Sequence, residues 1–76
     1  MSNHNPPKIL SLASEKLTAD HKVFLLDLKE NEGGRFIKIT EDIGGYCETI
    51  MIPMFAAKEF HALLGKLLEI EATLQK

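Results

Sequence analysis

The chain has 76 residues, 45% hydrophobic and 26% charged, with one cysteine and a formal net charge of −2. So short a chain makes a single domain with a marginal core, its composition excludes disorder over most of its length, and a lone thiol excludes the disulfide framework of a small secreted scaffold. The acidic balance counts against the basic surface usual in binders of phosphate chains, yet a local basic face survives it, because fields are screened beyond about 8–10 Å at physiological salt.

Residues 1–8 are polar and contain Pro6-Pro7, which predicts a flexible extended arm, and residues 9–76 are read as one domain. No apolar run reaches the roughly 20 residues that span a bilayer, and MSNHNPPK lacks the apolar core of a signal peptide. The expected compartment is therefore the cytoplasm, with no membrane partner. From Lys8, KILSLASEKLTAD fits either a strand or a helical turn. A strand is the better reading, because a hairpin follows and gains a third neighbour. Leu10, Leu12 and Ser14 would share one face, and Thr18 to His21 would form the turn.

Lys22 to Thr40 reads as a β-hairpin. Phe24, Leu26 and Leu28 share one parity, and Val23, Leu25, Asp27, Lys29 and Asn31 share the other. In the return strand Arg35, Ile37 and Ile39 alternate with Phe36, Lys38 and Thr40. Strand parities lie on opposite faces, so one face is aliphatic and the other mixes cations, an amide, a hydroxyl and an aromatic ring. Glu30 to Gly34 supplies turn chemistry, and Glu41 to Gly45 is a second break. A fourth strand runs from Tyr46 to Ile52 and Pro53, which has no ladder donor, stops it.

From Met54 the apolar period changes to 3.6: Ala56, Phe60, Leu63, Leu64, Leu67, Ile70 and Leu74 predict a helix from near Phe55 to Gln75. Gly65 inside it suggests a close backbone approach. Four strands and then a helix give an α+β fold, with the helix across one face of a four-stranded antiparallel sheet. The apolar stripe outreaches that sheet, and a second copy of the chain would bury the remainder.

The ordered set Phe24-x-Leu26-Asp27-x-Lys29-x-Asn31, Gly34-Arg35-Phe36-Ile37-Lys38-Ile39 and Glu59-Phe60 resembles the PUR repeat of the Pur-alpha family, over roughly Leu10 to Leu74. The resemblance implies a ββββα repeat with a curved sheet, in an intertwined homodimer formed by helix exchange, as in short bacterial relatives. It also implies non-catalytic binding of purine-rich single-stranded DNA or RNA on the sheet face away from the helices. The matching positions are Lys22, Lys29, Asn31, Arg35, Phe36 and Lys38. Physically, a ring flanked by ammonium groups suits an unstacked base and its phosphate, and Asn31 offers a paired donor and acceptor. Glu30, Glu32 and Gly33 depart from the family's residues in the turn, which lowers the expected affinity.

The remaining signals are bland. His4, His21, His61 and Cys47 form no metal-ligand spacing, and no cofactor, small-molecule substrate or enzyme is implied. Asp27 is read as a structural hydrogen-bonding partner, and Arg35 can pair with a carboxylate such as Glu48 as readily as with phosphate. Lys58, Glu59, Lys66 and Glu69 balance the helix's polar face, which separates it from membrane-surface helices. The competing functions are a protein–protein module that keeps the fold and, remotely, an acid/base enzyme using Asp27 and His21. The sign of the open sheet face separates binder from module.

Overall fold

The computed structural model describes residues 9–75; the arm expected over residues 1–8 lies outside them. Strands β1 (Leu10–Ala19), β2 (Lys22–Asn31), β3 (Gly34–Ile43) and β4 (Tyr46–Pro53) precede one helix, α1 (Met54–Leu74). The strands form an antiparallel meander in the order β1-β2-β3-β4. The helix starts directly after Pro53 and packs against β3 and β4.

Both central turns are tighter than the sequence suggests. β3 continues through Glu41, Asp42 and Ile43, residues expected in a polar break, and the chain reverses on Gly44-Gly45 alone. Their φ values of 59° and 92° suit a type I′ reversal, which needs positive φ at both central residues and matches the strand twist. Asp42 Oδ1 accepts from the Gly45 amide at 3.0 Å. At the other end Asn31 Oδ1 accepts from the Gly33 amide at 2.8 Å, an Asx-type closure of the Glu32-Gly33 turn.

The first strand differs from expectation in its faces. The β1–β2 register shifts between Ser11 and Ala13, a bulge that adds Leu12 and reverses the side-chain alternation beyond it. Leu10 therefore shares the face of Glu30, whereas Ser14 stands opposite Asp27 on the other face. The three residues Leu10, Leu12 and Ser14 do not share a face as simple alternation predicts.

On the helix side, Ala13, Leu28, Ile37 and Ile52 form one row across the sheet and Glu15, Leu26, Ile39 and Ile50 the next. Leu26, Ile37, Ile39 and Ile52 meet Ala57, Phe60 and Leu64 of α1 around an apolar cavity. Among the described residues only Ile52 is a buried hydrophobe, at 9% exposure. Leu63, Leu67, Ile70 and Leu74, spaced four, three and four residues apart along α1, are all exposed. The described chain is also extended: its radius of gyration is 16.4 Å, against about 11 Å for a compact domain of its length. At Gly65 an added Cβ would meet nothing within 4 Å, so the close approach expected there is absent within the single chain.

Candidate nucleic-acid interface

The face turned away from α1 is assembled by the strand register. Its first row is Ser11, Lys29, Phe36 and Pro53; the second is Ser14, Asp27, Lys38 and Met51. Lys29 thus stands directly across from Phe36, and Asp27 directly across from Lys38. Directly opposed side chains have Cβ atoms about 4.5–5.5 Å apart, so the ring has one ammonium beside it and a second on the neighbouring position of its own strand. All four of these residues are half-buried. Ser14 Oγ donates to Asp27 Oδ1 at 2.5 Å. This is the hydrogen-bonded role expected for Asp27, with a partner that only the bulge in β1 brings to that face.

The charge divides unevenly between faces. The strand positions of the open face carry Lys16, Lys29 and Lys38 against Asp27 and Asp42, while those of the helix side carry Glu15, Glu30, Glu41 and Glu48 against Lys22 and Arg35. The open face therefore has one more cation than anion, and the helix side has two more anions than cations. A chain with a net charge of −2 still presents a locally basic sheet surface.

The six sequence-predicted positions do not converge. Lys29, Phe36 and Lys38 form one group, and Asn31 lies at the end of β2 on the same face, its Oδ1 occupied by the Gly33 amide. Its amide nitrogen can still donate. Arg35 shares the face of Ile37 and its Nε donates to Glu30 Oε1 at 2.9 Å; the carboxylate partner is the residue directly opposite, not Glu48. Lys22 Nζ stands 3.3 Å from Glu41 Oε2 at the far end of that same helix-side face. Exposed pairs of this kind contribute about 0–1 kcal/mol, so they direct these two cations without fixing them strongly.

Sequence reasoning missed Ser11, Ser14 and Lys16. That all three share one face depends on the bulge at Leu12, which leaves no trace in the pattern of residue types. Chemically, the open face offers a ring for stacking, ammonium groups for phosphate, and hydroxyl, amide and carboxylate groups for base edges. Groups of these kinds are what an unstacked base and its phosphate require.

Comparison with known proteins places the chain in a family. Residues 9–76 match the model of the PurA family, described as a single-stranded DNA- and RNA-binding protein family, and the chain belongs to that family. It is 44% identical over 64 residues, 83% of its length, to the transcriptional regulator protein Pur-beta of Danio rerio, covering 22% of that protein. It is 42% identical to human Pur-beta over the same share, covering 20% of it, and 37% identical to the transcription factor Pur-alpha 1 of Arabidopsis thaliana over 57 residues, 75% of this chain and 19% of that one. The chain thus spans about a fifth of the length of these relatives.

Proposed function

We propose that this chain is a non-catalytic binder of single-stranded DNA or RNA, with a preference for purine-rich strands, that acts in transcriptional or post-transcriptional regulation or in association with a nucleoid. The observation that carries the reading is the Lys29–Phe36 cross-strand pair with Lys38 beside it, on the more cationic face of the sheet and away from the helix. Phe36 stacks a base, worth about 1–3 kcal/mol; Lys29 and Lys38 neutralise phosphates; Asn31 donates from its free amide nitrogen. Lys22 and Arg35, paired to Glu41 and Glu30 on the other face, contribute less, reaching nucleic acid only where a strand passes round the ends of the sheet.

The binding unit in this reading is a homodimer formed by helix exchange. It is supported by the family's two-repeat architecture, by the thin core, and by the Leu63, Leu67, Ile70 and Leu74 stripe left exposed along α1. Cytoplasmic location accords with this role.

Titrating fluorescently labelled single strands and duplexes of matched sequence with the protein tests the reading. Single-strand binding that weakens with salt, and exceeds duplex binding, supports it. No binding at low salt by a folded protein would overturn it in favour of a protein–protein module.

A further inference from the structure

We infer that Asp27 is a specificity-determining residue of the open face, selecting guanine among the bases that stack on Phe36. The inference rests on the single-strand-binding reading above and assigns its base discrimination to one carboxylate. Asp27 is the anion in the middle of an otherwise donor-rich surface: Lys38 stands directly opposite, Lys29 two positions along the same strand, and Phe36 on the diagonal. Diagonal neighbours on one face are about 7–8 Å apart, roughly the reach of a base stacked on the ring to a side chain beside it. A carboxylate there weakens phosphate binding. Its presence calls for a compensating contact, and its link to Ser14 occupies only part of its acceptor capacity: Ser14 Oγ donates to Oδ1, while a carboxylate has about four lone-pair sites.

The base that complements an acceptor-only group follows from the edges. Guanine alone presents two adjacent donors, N1–H and the N2 amino group, to a carboxylate's two oxygens. Adenine and cytosine set a ring-nitrogen acceptor beside their amino group, and uracil and thymine flank their single N–H with carbonyls, so each turns at least one lone pair towards the carboxylate. Buried or half-buried acceptors facing acceptors lose hydration without replacement. The Ser14 hydroxyl holds the carboxylate in place from the edge strand, which makes Ser14 a positioning residue. The β1 bulge, by placing Ser14 on this face, is part of the device.

The test uses strands that differ at a single position, carrying guanine, inosine, adenine or uracil, titrated against wild type, Asp27→Asn and Ser14→Ala by anisotropy. Wild type is expected to favour guanine about tenfold over adenine and uracil, the size of one good paired base contact, with inosine, which lacks the N2 amino group, in between. Asp27→Asn is nearly isosteric and removes an anion. It is expected to lose the guanine preference while binding the uracil strand more tightly than wild type does, a crossed effect that a purely structural role for Asp27 would not produce. Ser14→Ala is expected to reduce the guanine preference without the tighter binding to the uracil strand, because the carboxylate's charge remains. Single-strand binding by wild type with equal affinity for guanine and adenine strands, or a preference unchanged in Asp27→Asn, overturns the inference and leaves the binding reading intact. Absence of single-strand binding overturns both.

Discussion

Leu67 is 64% exposed in the single chain, in the centre of a stripe with Leu63, Ile70 and Leu74. Full burial of a leucine is worth about 1.5–3 kcal/mol, so in an isolated chain Leu67→Ala would remove about 0.5–1 kcal/mol, the share already out of water. If the stripe is the seam of a helix-exchanged dimer, the same truncation costs about 2–5 kcal/mol at a buried site. It occurs once in each copy, so the dimer loses at least about 4 kcal/mol against about 1–2 kcal/mol for two separate chains, and the difference of at least about 2 kcal/mol is roughly thirtyfold or more in dissociation constant. Light scattering after size-exclusion chromatography, over a dilution series, measures this. Wild type is expected to run as a dimer at micromolar concentration and Leu67→Ala to dissociate, while Glu69→Ala on the charged side of α1 stays dimeric. A monomeric wild type, or a Leu67→Ala dimer as tight as wild type, would refute the reasoning.

Other consequences follow from the two sheet faces and the turns. Lys29→Ala and Lys38→Ala are each expected to lower the dependence of log K on log salt by about one, whereas Lys22→Ala and Arg35→Ala leave it nearly unchanged; equal effects at all four positions would contradict the assignment of faces. Replacing Gly44 or Gly45 by alanine forces a Cβ into positive φ and is expected to destabilise by about 1 kcal/mol or more in urea unfolding. Gly65→Ala, with open space around it in the single chain, should stabilise an isolated helix by up to about 1 kcal/mol; destabilisation of the dimer instead would show that a second helix approaches there.

The sequence made some features readable and concealed others for identifiable reasons. The alternation in Phe24 to Ile39 defines two faces because a strand's side-chain period is fixed, and it correctly sets Arg35 apart from Phe36 and Lys38. It does not supply register, so the direct pairing of Lys29 with Phe36 and of Arg35 with Glu30 emerges only from the sheet. The bulge at Leu12 is invisible for the same reason: an inserted residue changes the face of everything beyond it while leaving the composition alone. β3 runs longer than expected because Glu41 and Asp42 resemble turn residues, yet a type I′ reversal needs only the two glycines. The helix boundaries, by contrast, were legible to within a residue, since Pro53 ends the ladder and the apolar period changes at Met54.

The central claim is that Phe36 and its lysine neighbours hold an unstacked base on the open sheet face. Anisotropy of labelled purine-rich and pyrimidine-rich single strands, titrated with wild type and Phe36→Ala at two salt concentrations, tests it most directly. The account predicts salt-weakened binding that falls by about 1–3 kcal/mol in the variant with the dimer intact. Binding unaffected by the loss of the ring would contradict it.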